Sequence, residues 1–181
     1  EHVLPANRTE AERDDPHHPV YAGMLKYCGG EGFSREEIRE TVIPTYMGLV
    51  KQIDDHLGRL LSWMRDNGTL ENTMIVFTSD HGDYLGDHNL IGKSTFFETG
   101  IRIPSIVSGP GIDEAKVCSE LVMLTDVTAT LLALAEIALP AYMDAQPLPM
   151  LGLTSQPPRS RIFGMTSHGW MNFDGTYRLS K

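Results

Sequence analysis

An apolar, β-branched run at residues 73–79, TMIVFTS, stops at Asp80-His81-Gly82, and this junction constrains the chain more than any other stretch. A run of that length bounded by polar residues suits a strand buried on both faces, as in a parallel sheet. A carboxylate, an imidazole and a glycine are thereby delivered at the carboxyl end of a buried strand, where open α/β sheets place their ligands. Asp80 offers an anionic oxygen and His81 a neutral ring nitrogen, both suited to divalent metals, while Gly82 lets the backbone turn where a side chain would crowd an ion. Adjacent residues point to opposite faces of a strand. The two can wrap one ion if the strand stops at Asp80, as the sequence Gly82-Asp83-Tyr84-Leu85-Gly86 implies.

Beyond that turn lies a polar loop with two more acids, Asp83 and Asp87, and another imidazole, His88. Lys93 follows thirteen residues after Asp80, then an aromatic pair, Phe96-Phe97. A lone cation beside a metal site is what a sulfate or phosphate ester needs, because its non-bridging oxygens carry charge into the transition state. The triplet Asp-His-Gly also occurs as a capped turn holding no ion. A second apolar strand at 103–108 ends in Gly109-Pro110-Gly111, so two strand ends bracket a long loop, and long ordered loops are more often functional than not.

Ser79-Asp80-His81-Gly82-Asp83, Leu85-Gly86-Asp87-His88, Lys93, Glu98, Arg102-Ile103-Pro104 and Gly109-Pro110-Gly111 stand in one ordered series. Together they resemble the C-terminal signature of the sulfatase family, within the alkaline phosphatase superfamily. The resemblance runs from about residue 43 to about residue 134, with a weaker echo at the C-terminus. It implies an α/β fold: the C-terminal part of an alkaline-phosphatase-like three-layer sandwich, with a small C-terminal antiparallel hairpin. It also implies a metal-dependent sulfuric ester hydrolase acting on a small anionic ester. Asp80 and His81 would then be metal ligands, and Lys93 would be the catalytic residue that binds the sulfate or phosphate group. The ion implied by the resemblance is calcium, whereas an imidazole ligand by itself favours manganese or zinc.

The departures from the pattern matter as much. Sulfatases carry upstream a Cys-x-Pro-x-Arg or Ser-x-Pro-x-Arg motif, whose first residue becomes the formylglycine nucleophile, and an acidic pair that completes the metal site. Here Cys28 is followed by Gly29-Gly30-Glu31 and Cys118 by Ser119-Glu120-Leu121. The expectation is a C-terminal part of a longer enzyme, inactive alone, with the formylglycine nucleophile upstream and the missing N-terminal portion of the same chain as its partner. Two other readings stay open: a phosphonate monoester or phosphodiester hydrolase of the same superfamily, and a degenerate, non-catalytic relative acting as a binding module.

With 181 residues and 41% hydrophobic content the chain is ample for one domain with a core. Its net charge of −9, with 15 basic residues not gathered into a stripe, argues against nucleic acid as a partner. No stretch approaches a membrane span, so no membrane partner is expected. No signal peptide is visible, which says nothing about export in a chain that begins at Glu1.

Three regions are expected: an irregular segment at 1–33, the C-terminal part of the sulfatase α/β domain at 34–150, and the start of a small subdomain at 151–181. In the first, Asp14-Asp15-Pro16-His17-His18-Pro19 could contact a metal or substrate, although acids and histidines between prolines more often form a solvated loop; residues 20–25 suit a short helical turn. Ser34 with Glu37 forms a capping-box pattern opening a helix, which Pro44 should kink or divide near Val42. Met47, Val50, Ile53, Leu57, Leu60, Leu61 and Met64 recur at helical period, opposite Lys51, Asp55, Arg59 and Arg65, up to the stop at Asn67-Gly68. Asp54, Asp55 and His56 invite a catalytic reading, but the sulfatase resemblance implies a structural acidic pair here, so they are expected as helix surface and cap contacts. A short strand is expected at 120–123, then a helix capped by Thr125-Asp126 and running through Ile137, with Val127, Leu131, Leu134 and Ala135 on its apolar side. Residues 138–159, rich in Pro and Gly, should run along the surface. Strands at 161–166 and 175–179 would form the C-terminal hairpin, with His168 and Trp170 in its turn.

Overall fold

The apolar period after Arg35 becomes one continuous helix in the computed structural model, which describes residues 10–16, 18–27, 35–93, 95–112, 115–162 and 164. This helix, α3 (Glu36–Asp66), follows two shorter ones, α1 (Glu10–Asp14) and α2 (Pro19–Tyr27), in a stretch expected to be irregular. Proline at the first helical position starts α2 without loss, since its missing N–H has no intrahelical role there. Ser34, the expected cap of α3, lies outside the described residues. Arg35 stands at the N-cap in extended conformation, without a side-chain bond. Pro44 does not divide α3. The hydroxyls of Thr41 and Thr45 donate to the carbonyls of Glu37 (3.0 Å) and Thr41 (2.7 Å), back-bonding along the turns beside the proline. At the other end, the N–H and side-chain amide of Asn67 both bond the Trp63 carbonyl, and Gly68 turns the chain at φ +67°.

The described residues form two compact units. One is built from 1–67 and 81–104, the other from 68–80 and 105–164. In the first, Met24, Tyr84 and Leu90 are fully buried, with Tyr21, Leu25 and Phe97 packed against them. Of α3, Ile43 is buried, whereas Met47, Val50, Ile53, Leu60 and Trp63 are exposed, Trp63 by 60%. On its polar face Lys51 pairs with Asp55 and with Asp54 (3.7 Å). The hydrogen bond it donates to Asp55 holds the Lys51 ammonium above its usual range. Those two acids therefore act as helix surface, as their position predicts.

In the second unit β1 (Ile75–Thr78) and β2 (Ser105–Ser108) pair antiparallel, with Ile75 opposite Ser108 and Thr78 opposite Ser105. The expectation of a strand buried on both faces in a parallel sheet is thus corrected: Ile106 is 60% exposed and Phe77 36%. A short apolar run fixes neither the direction of its neighbour nor what covers its faces.

The strand expected at 120–123 is absent, because the Met123 N–H donates to Asp126 Oδ2 (2.7 Å) instead of to a ladder. That bond opens α5 (Leu124–Leu134). The helix closes before Ile137: Glu136 adopts φ +57°, and the N–H groups of Glu136 and Ile137 bond the carbonyls of Ala133 and Leu132, a Schellman close. Its buried face is Asp126, Ala129 and Thr130, whereas Leu131 and Leu134 are exposed. The expected surface segment is also partly interior. Ala145, Gln146 and Leu148 are buried, the Gln146 N–H donating to Asp126 Oδ1 (3.1 Å) and the Leu148 N–H to Thr130 Oγ1 (2.8 Å). Of the expected C-terminal hairpin, Arg161, Ile162 and Gly164 are described and take no regular structure; the rest, with His168 and Trp170, lies outside the described residues, as does Cys28. Among the described residues no helix is long and apolar enough to cross a membrane.

Candidate functional site

His81 and Lys93 meet at one end of the loop that leads to α4 (Glu98–Ile101). Lys93 Nζ lies 2.5 Å from His81 Nε2, and His81 Nδ1 lies 2.7 Å from the Gly82 carbonyl oxygen. An ammonium can only donate, so Nε2 accepts from it, and the ring proton sits on Nδ1 and is donated to Gly82 O. In this arrangement Nε2 is the accepting nitrogen. An N–H to a backbone carbonyl is also how metal-binding imidazoles are oriented and their tautomer fixed. His81 is half-buried and Lys93 exposed.

Gly82 is required on steric grounds. Its N–H donates to the Gly100 carbonyl (3.0 Å), and a Cβ placed on it would stand 1.9 Å from the carbonyl oxygen of Thr99. Close approach of two backbone segments excludes a side chain there.

Asp80 belongs to the other unit. It lies two residues beyond the end of β1, exposed, with Ser79 Oγ 3.5 Å from its Oδ1. The structure thus brings the side chains of His81 and Lys93 together, while Asp80 is joined to His81 through the chain. Among the described residues no group of three or more His, Cys, Asp or Glu side chains could hold a metal ion. A carboxylate and an imidazole are each donors that a divalent metal accepts, and His81 would offer Nε2 only if Lys93 moved off it; the further donors of such a set would come from other residues.

The remaining polar residues of the loop hold it in shape. Asp83 Oδ1 accepts the N–H of Leu85 (2.9 Å) and of Gly92 (3.3 Å). The buried Asp87 accepts the Thr99 hydroxyl at 3.0 Å. The His88 ring stacks on Phe97 with centroids 3.8 Å apart, and its carbonyl accepts the Tyr21 hydroxyl at 2.6 Å. Tyr21 and Tyr84 meet the same Phe97 edge-on, at 5.8 and 6.2 Å, and the Tyr84 hydroxyl bonds both the N–H and the hydroxyl of Thr95. The two extra acids, the second histidine and Phe97 are thus scaffold. Sequence inspection missed this, and its only local signal was Asp83 two residues before Leu85 in a glycine-bearing turn. Of the upstream acidic and histidine cluster, Asp14 pairs with Arg13 (2.7 Å) at the surface, His18 is exposed, and His17 lies outside the described residues.

This architecture, with its strand-to-loop junction, is that of an alkaline-phosphatase-like protein. The phosphonate monoester hydrolase of Silicibacter pomeroyi matches 91% of the chain with a TM-score of 0.78 at 26% identity, the match covering 34% of that enzyme. A protein solved with its substrate, D-glucosamine-2-N,6-O-disulfate, matches 66% of the chain with a TM-score of 0.61 at 30% identity, over 25% of its own length. The sequence profile described as Sulfatase matches residues 8–137, and arylsulfatase K of Gallus gallus is 36% identical over 122 residues, 66% of this chain and 22% of that protein. The chain belongs to the sulfatase family. It spans about a quarter or less of the length of the arylsulfatase K relatives it matches.

Proposed function

We propose that the chain is the part of a sulfatase that supplies one carboxylate and one imidazole to a divalent metal and an ammonium group to the bound ester. Asp80 and His81 are the metal ligands in this reading, and Lys93 is the catalytic residue that binds the non-bridging oxygens. The observation that carries it is the closeness of the His81 and Lys93 side chains, which sets the imidazole and the ammonium of the family series side by side; a metal bound at Nε2 would take the place the ammonium holds there, leaving Lys93 to turn to the ester oxygens. When bound, a divalent ion supplies positive charge that favours the ionised form of a nucleophile and offsets charge developing on the ester oxygens. Lys93 does the second of these from the protein side, and as an exposed ammonium on a flexible stem it can follow a tetrahedral anion. The nucleophile, a formylglycine by family resemblance, comes from outside positions 1–181. Calcium is the first metal to test, followed by manganese and zinc.

Sulfate esters are favoured as substrate because the relatives include arylsulfatase K and a protein solved with a disulfated glucosamine. The likeness to a phosphonate monoester hydrolase supports the second reading, since an ammonium serves either anion. Hydrolysis of an aryl sulfate and of a phosphonate monoester by the full-length protein, wild type and His81→Ala, separates the two and tests the site. Unchanged turnover in the variant would remove His81 from the metal centre.

A further inference from the structure

The residue immediately before Lys93 is tied down at both of its backbone polar atoms. The Gly92 N–H donates to Asp83 Oδ1 (3.3 Å), and the Gly92 carbonyl accepts the N–H of Tyr84 (2.8 Å). Gly92 itself sits at φ +71°, a conformation that an L side chain would strain. Within the loop so closed, Leu85, His88 and Asn89 all adopt positive φ, at 46°, 53° and 56°. Asparagine tolerates that region; a leucine there is an outlier, and it persists only where surrounding bonds over-determine the backbone. The half-buried Asp83 carboxylate supplies two of those bonds from one oxygen. Its contact with the Leu85 N–H alone is an ordinary local turn. The second contact, nine residues along the chain, converts that turn into a clasp whose far end is the residue preceding Lys93.

We infer that Asp83 is a positioning residue for Lys93: its carboxylate clasps the loop so that the ammonium is held beside His81 rather than swinging on a loose segment. The inference rests on the reading that Lys93 meets the ester oxygens. A cation placed in advance stabilises developing charge without reorganisation, and displacement of a reacting group by about 1 Å costs on the order of 100-fold in rate.

The test uses the full-length protein and an aryl sulfate substrate. Asp83→Ala, which removes both acceptor contacts, is expected to lower kcat by roughly 10- to 100-fold with little change in KM. Asp83→Asn keeps an acceptor oxygen in place and should recover most of that rate. Asp83→Ser, which can still reach the Leu85 N–H but not Gly92, should behave as the alanine variant does and serves in its place if that variant does not fold. The deciding comparison is the double variant with Lys93→Ala. If Asp83 acts through the ammonium, removing it from a protein already lacking Lys93 changes the rate no further. A loss that persists in the Lys93→Ala background, or a rate for Asp83→Ala or Asp83→Ser equal to wild type, overturns the inference while leaving Lys93 in its role. A wild-type rate for Lys93→Ala alone instead overturns the site reading, and the inference with it.

Discussion

The Asp126 carboxylate and the Arg159 guanidinium, 33 residues apart, form a two-pronged ion pair in which the carboxylate is almost wholly buried. Asp126 also accepts the N–H groups of Met123 and Gln146, so one side chain opens α5, anchors the 145–148 segment and fixes the arginine beyond it. A buried carboxylate is tolerated only with such complete pairing.

Arg159→Met should therefore cost about 3 kcal/mol of unfolding free energy, because it leaves a buried charge served only by two backbone donors. Urea denaturation of the full-length protein measures this. A loss under about 1 kcal/mol would mean that the Met123 and Gln146 N–H groups suffice.

Gly82→Ala places a methyl group against the Thr99 carbonyl, a backbone atom that cannot rotate away. The expected cost is about 2 kcal/mol or more, with hydrolysis falling alongside because the Gly82 carbonyl also orients His81. A crystal structure of the variant with an unmoved Thr99 would contradict the geometry given above.

Phe97→Ala removes the ring on which His88 stacks and which Tyr21 and Tyr84 meet edge-on. About 3 kcal/mol of stability should be lost, and Phe97→Leu should restore part of it through volume alone. Thermal unfolding of the three proteins gives the ranking, and equal midpoints for wild type and alanine would show that the cluster contributes little.

Lys93→Ala should lower kcat/KM for a sulfate ester by roughly 100- to 1,000-fold while leaving metal affinity nearly unchanged. His81→Ala should lower turnover as well and, unlike Lys93→Ala, weaken metal binding in a calorimetric titration by at least about 100-fold. If chelator treatment leaves the wild-type rate intact, neither assignment to a metal-assisted hydrolysis stands.

Local order was largely legible. The Ser34–Glu37 pattern and the Asn67-Gly68 stop bracket α3 to within a few residues, because capping and a left-handed glycine act over a turn or two of one element. The ordered series around Asp80, His81 and Lys93 likewise pointed to the family that the sequence profile matches. The expectation at Pro44 was a kink or a division, and the helix is not divided; the run at 73–79 suits a strand of a parallel sheet, and it pairs antiparallel; Leu131 and Leu134 stand on the expected apolar side of α5, and the buried face is Asp126, Ala129 and Thr130.

For the strands and for α5 the deciding contact lies far away in sequence. The chain by itself determined the long helix α3, the two strands on either side of the loop and which residue types stand at the strand-to-loop junction, since these follow from spacing and from the chemistry of individual side chains. Tertiary structure alone decided that Asp126 faces inward to Arg159, that Asp83 reaches Gly92, and that the His81 ring presents Nε2 to Lys93. A hydrogen bond depends on distances of tenths of an ångström between groups up to 33 residues apart, and no local pattern encodes that separation.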